Sequence, residues 1–299
     1  MKMEQSNNAV ALLAPLPTSS TTECFLPVTD SDCYKNDLIS TLPRLFLLEF
    51  LGTYIMLVFG MGSVAQVVLN KDNGGSLSIH IAWGLGVAFG VYVSEGGHLN
   101  SAITIANMIY NGLSKKRGLV YIFAQFCAGY LAAASVFVIY LDSLKNYKSS
   151  GDYMIVPNTA GIFCTFPFSF LDSTKTLDLG FSCLSEFSAT FLLYFLVLSF
   201  TDEKKKNPAA NLTGLFMGLI VLGIGCAYGQ QTGYALNPAR DFPPRLFLWC
   251  AGWGNDLFTY GNYYFWVPVI LPILGTITAG GFYETVVRDK NPEKFKVKV

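Results

Sequence analysis

Apolar residues along this 299-residue chain gather into six long stretches divided by shorter polar ones. They run from Arg44 to Leu69, Leu77 to Ser94, Leu119 to Leu141, Leu179 to Phe200, Ala210 to Tyr228 and Tyr263 to Val287. A helix that crosses a bilayer needs about 20 mostly apolar residues, so each stretch predicts a span. Two amphipathic segments, Asn100 to Leu113 and Asn237 to Trp249, are too short to cross and predict half-helices that dip in from opposite faces. The expected fold is an all-α membrane protein of six transmembrane helices plus two re-entrant half-helices.

The pattern also repeats. Asn100 lies 51 positions after Glu49, and Asn237 lies 51 after Glu186, which puts Asn100-Ser101-Ala102 and Asn237-Pro238-Ala239 in one register 137 residues apart. At that offset Glu49-Phe50 matches Glu186-Phe187, Thr53 matches Thr190, Leu85-Gly86 matches Leu222-Gly223, Gly96 matches Gly233 and Leu99 matches Leu236. Three crossings per copy turn the second upside down, giving an inverted repeat, an architecture common among channels and transporters. A third Asn-Pro-Ala at 207–209 follows three lysines and has no glutamate at the matching distance. It reads as an ordinary helix cap. The chain divides into a tail at 1–43, a channel domain at 44–287 and a tail at 288–299. Within the domain, repeat one covers 44–141, an outer loop 142–178 and repeat two 179–287.

Composition agrees: 52% hydrophobic residues, 13% charged, and mean hydropathy +0.42. With both termini cytoplasmic, 14 of the 20 lysines and arginines fall inside, as the positive-inside rule requires. The net charge of zero argues against a nucleic-acid partner. Seven cysteines without a Cys-x-x-Cys argue against a metal or redox centre, and no cofactor is expected. Cys164 and Cys250 fall on outer segments, where the sequence leaves a disulfide between them open.

The repeated motif carries readable chemistry. Asparagine caps a helix and proline suits its first turn. Each half-helix therefore aims the positive end of its dipole, and an amide donor, at the membrane centre. Gly96-Gly97-His98 and Gly233-Tyr234-Ala235, ahead of the motifs, are expected to be extended and to offer a ladder of carbonyl acceptors to a wet cavity. Glu49 and Glu186 are costly inside spans and are expected to accept backbone N–H groups of the loops. Donors at the centre and acceptors along the wall suit a file of polyol or water. His98 is expected to fix its loop, and His80 to be a surface histidine.

From Arg44 to Val287 these residues resemble the major intrinsic protein (aquaporin) family. Asn237-Pro238-Ala239-Arg240-Asp241 resembles its aquaglyceroporin branch, the glycerol facilitator-like members in which Asp follows the arginine. The resemblance implies a selectivity constriction at Trp83, Gly225, Tyr234 and Arg240. In it the arginine would donate to solute hydroxyls, while Trp83 and Tyr234 form an apolar corner. Gly225 stands where water-selective members usually carry histidine, and its small size favours glycerol-sized solutes. Asp241 joins the glutamates in loop support, and the long outer segment is typical of the branch. The resemblance also implies a homotetramer with one pore per subunit, in the plasma membrane. One departure is Ser101, where the family usually has proline, which predicts a looser first loop with conduction retained.

These readings lead to a passive channel for glycerol, other small neutral solutes and water that excludes protons and ions. A water-selective channel is disfavoured by Gly225 and Asp241, and an ion-coupled transporter by the lack of titratable groups free to face the pathway. No nucleophile, general base or metal cluster suggests an enzyme.

Overall fold

The computed structural model describes residues 38–70, 72–147, 152–169, 175–202 and 210–288. Six helices in it are long and apolar enough to cross a membrane. The helices are α1 (Leu38–Leu69), α2 (Ser76–Val93), α3 (Ser101–Tyr110), α4 (Lys115–Lys145) and α5 (Leu179–Thr201). They continue as α6 (Thr213–Thr232), α7 (Pro238–Ala251), α8 (Asp256–Tyr263) and α9 (Val267–Phe282), which a π-helical turn extends through Val287. Among the described residues the sole β pairing is an isolated bridge between Ser169 and Thr176.

Several bounds differ from those the hydropathy pattern predicts. α1 starts at Leu38, inside the expected tail, with Pro43 within it. α4 starts at Lys115 because the Ser114 side chain accepts the Arg117 N–H, a cap that apolar periodicity does not register. Tyr260, Gly261 and Asn262 leave helical geometry at the end of α8, so the last span is continuous only from Tyr264 onward. The third Asn-Pro-Ala and the C-terminal tail beyond Arg288 lie outside the described residues.

The packing has the symmetry that the repeat predicts. α1 packs on α2 and α4 as α5 packs on α6 and α9; α3 lies against α9 as α7 lies against α4; and α2 meets its counterpart α6. Exchanging the halves maps this pattern onto itself. Each half-helix therefore seats mainly against the long helix of the other half. The central α2–α6 contact depends on missing side chains: a Cβ on Gly84 would stand 2.8 Å from the Gly218 carbonyl oxygen. Small residues allow such close helix approach where lipid supplies no hydrophobic drive. The outside is apolar, with Leu47, Phe59, Leu119, Phe123, Val138 and Phe181 all exposed.

Candidate functional site

Where the two half-helices meet, each is capped by its own asparagine and tied to the other half. Asn100 has extended backbone geometry (φ −149°, ψ 120°), and its Oδ1 accepts the Ala102 and Ile103 N–H groups. Asn237 has nearly the same geometry (φ −155°, ψ 114°), and its Oδ1 accepts the Ala239 N–H. The amide nitrogens then cross over. Asn100 Nδ2 donates to the Leu236 carbonyl at 2.8 Å, and Asn237 Nδ2 donates to the Leu99 carbonyl at 2.7 Å. One N–H of each amide is consumed by this crossing, leaving one for another acceptor. Two positive helix ends thus face one another.

The loops ahead of the motifs are strained and then clamped. Leu99 and Leu236 sit at φ 53° and 56°, and Tyr234 at 38°. Such left-handed geometry costs a non-glycine residue roughly 1 kcal/mol or more, so it persists only where neighbours impose it. Glu49 accepts the His98 N–H at 3.0 Å and the Leu99 N–H at 2.6 Å. Glu186 does the same for Ala235 at 2.9 Å and Leu236 at 3.0 Å, and also accepts the Thr232 hydroxyl. The carbonyls of Gly96, Gly97, His98, Gly233, Tyr234 and Ala235 accept from no protein donor among the described residues.

Around the first motif the clamp extends into a buried network. Gln125 Nε2 donates to Glu49 and to Thr104 Oγ1, while Ser101 Oγ donates to Gln125 Oε1 at 2.7 Å. The serine thus gains a side-chain tie that proline could not make. His98 Nδ1 lies 3.0 Å from Thr104 Oγ1 and its Nε2 3.0 Å from the Asn107 amide. Both ring nitrogens are occupied, and no cluster able to hold a metal occurs among the described residues.

Toward one end the structure brings Trp83, Gly225, Tyr234 and Arg240 together. The Arg240 guanidinium lies 4.6 Å from the Trp83 ring centroid, and its Nη1 donates to the Phe163 carbonyl at 3.1 Å. Its Nε and Nη2 have no protein partner among the described residues. A Cβ on Gly225 would stand 3.0 Å from Tyr234 Cζ. The corner is not purely apolar: the Tyr234 hydroxyl lies 3.0 Å from His80 Nδ1. His80 is thus half-buried and partnered, not a free surface histidine.

Asp241 supports the outer segment rather than a re-entrant loop. It accepts the Thr165 N–H and hydroxyl, both at 2.6 Å, and pairs at 2.8 Å with Arg245, which is 0% exposed. Arg245 also donates to the carbonyls of Thr165 and Leu257. This knot holds the segment that presents the Phe163 carbonyl to Arg240. Cys164 and Cys250 are both free, the first buried and the second exposed. Sequence reasoning missed Gln125, Phe163, Thr165 and Arg245. A buried-span glutamine and a second arginine after the motif are weak signals, and a backbone carbonyl leaves none.

With this geometry in place, comparison with known proteins adds a lineage. The family described as Major intrinsic protein matches residues 39–283. The mouse protein Aquaporin-7 is 37% identical over 255 residues, covering 84% of this chain and 82% of its own length. Aquaglyceroporin-2 of Rhizophagus irregularis is 39% identical over 243 residues, covering 80% and 75% respectively. The X-ray structure of the aquaglyceroporin from Plasmodium falciparum superposes with a TM-score of 0.72 at 31% identity, covering 82% of this chain and 97% of that one.

Proposed function

We infer from these observations how this chain, which belongs to the major intrinsic protein family, works as a channel. It is an integral membrane protein and a passive conduit for glycerol and water rather than an enzyme. The observation that carries the mechanism is the pairing of strained, carboxylate-clamped loops with crossed asparagine caps.

In this reading a solute meets Arg240 first. The free Nε and Nη2 donate to adjacent hydroxyl oxygens, while Trp83 and the Tyr234 ring face the carbon backbone. Gly225 leaves the width that a three-carbon polyol requires. The unpaired carbonyls then accept solute hydroxyls in sequence, replacing water bonds as they are lost. At the centre, the remaining amide N–H of Asn100 and of Asn237 donates to the passing oxygen. A water held there as acceptor by both amides is poorly placed to relay a proton along the file. The two helix dipoles and Arg240 also raise the energy of any cation.

Glu49, Glu186 and Asp241 act as supports throughout, since their oxygens are engaged by the protein. We assign the pore to residues 44–287, with both termini cytoplasmic, in a homotetramer of the plasma membrane. The lysine and arginine distribution supports that orientation, and the exposed apolar faces of α1, α2, α4 and α5 suit either lipid or neighbouring copies.

Stopped-flow light scattering on reconstituted vesicles tests this reading. Vesicles should re-swell in a glycerol gradient and shrink rapidly in an impermeant osmolyte. Glycerol flux no greater than that of empty liposomes would overturn it, and flux dependent on a sodium or proton gradient would indicate coupled transport instead.

A further inference from the structure

His80 belongs to no repeat motif, yet it sits against two residues of the outer constriction. Its ring crosses the backbone of α6: a Cβ on Gly225 would stand 2.8 Å from His80 Nδ1, and one on Gly229 would stand 2.7 Å from Cε1. The imidazole therefore fills a slot that exists because both positions lack side chains. The tip of Tyr234 shares that slot, with Cζ 3.0 Å from the same Gly225 Cβ position. The two rings meet edge-on, centroids 5.2 Å apart at 64°, with the hydroxyl and Nδ1 in hydrogen-bond contact.

We propose that His80 is a specificity-determining residue of the constriction: it occupies the Gly225/Gly229 slot and, through the Tyr234 hydroxyl, sets how far that ring projects into the solute path. The physical reason is steric. Tyr234 stands on a left-handed backbone (φ 38°) that its own loop clamp already constrains, so its side-chain torsions are its remaining freedom. The Tyr234 ring already borders α6 at Gly225 and Gly229, and with His80 in the slot it cannot move further along α6 into the space the imidazole holds. With the slot empty, it can, and the aperture widens. The hydrogen bond adds a polar restraint that an apolar ring of the same size lacks.

This inference rests on the glycerol-channel reading above, and one set of vesicle measurements separates the two. The full chain is reconstituted in phosphatidylcholine vesicles, and permeability to glycerol and to the four-carbon polyol erythritol is compared with that of empty liposomes. His80→Ala should raise the erythritol-to-glycerol ratio by about tenfold, at the low end of what a change in pocket size produces. His80→Phe, which keeps the volume and loses the bond, should raise it by less.

Gly225→Ala should lower glycerol flux by crowding His80 and Tyr234, and adding His80→Ala should restore it. A residue with only a general folding role would not suppress that block. If wild-type vesicles conduct glycerol while both His80 variants keep the wild-type ratio, or if the double variant stays blocked, the His80 assignment is overturned and the channel reading stands. If wild-type vesicles pass no glycerol, the channel reading itself fails.

Discussion

The backbone N–H of Ser101 donates to the side-chain oxygen of Asn237 at 3.3 Å, a bond from the first motif to the second. The converse bond cannot form, because Pro238 has no N–H. The two halves are therefore symmetric in their caps and crossed amides but not in this contact. Serine in place of proline adds a tie across the centre and, through its hydroxyl, a second tie to Gln125.

Ser101→Ala keeps the first tie and removes the second, leaving the Gln125 Oε1 acceptor without that donor in a buried site. The cost should be about 1–3 kcal/mol, read as a lower thermal midpoint in detergent. Ser101→Pro removes both ties but supplies a φ suited to the first helical turn. It should still conduct, with a glycerol-to-water ratio close to wild type; a radical change of selectivity would contradict this account.

Glu186→Gln tests the clamp. The glutamate accepts two backbone N–H groups and one hydroxyl, whereas an amide offers one acceptor oxygen and turns an NH2 group toward a donor. At least one buried N–H loses its partner, at about 1–3 kcal/mol. Because that N–H belongs to the strained loop, glycerol flux should fall together with the thermal midpoint. Unchanged flux in vesicles would show that the clamp is dispensable.

Arg240→Ala removes the cation over Trp83 and the donor to the Phe163 carbonyl. Loss of a fixed positive charge at a narrow site lowers the barrier to cations. Vesicles carrying the variant should dissipate an imposed proton gradient faster than wild type, measured with an entrapped pH dye. Proton flux equal to wild type would place the ionic barrier entirely at the half-helix ends.

Burial pushes the Cys164 thiol up to about 12. A raised value means that the neutral thiol persists at every pH below it, and the thiolate is the reactive form. Cys164 should therefore stay unlabelled by a maleimide at pH 8 in the folded protein and react after denaturation, as read by mass spectrometry. Rapid labelling of the folded protein would contradict the packing of the outer segment.

Much of the site could be read from residue order because the repeat imposes a register. Glu49 and Glu186 stand at equal distances from their asparagines, and both clamp the loop that leads to the motif. His80 was misread because an isolated histidine near a span end carries no period. Its partner Tyr234 lies 154 positions away, and the slot it fills is made by glycines, which leave only an absence in the sequence. The tie at Ser101 was hidden for a related reason: proline's fixed φ is a local property, whereas the hydroxyl's bond to Gln125 depends on where α4 passes.

By itself, the sequence determined six apolar spans, two short capped helices and their inverted relationship, since hydropathy, helix capping and an odd number of crossings are all set by residue order. Tertiary structure alone decided which groups complete the constriction and how the two halves are joined. The crossed bonds of Asn100 and Asn237, the Phe163 carbonyl on Arg240 and the His80 contact with Tyr234 link residues far apart in the chain. Such contacts exist only after helices whose own sequences say nothing of one another have packed together.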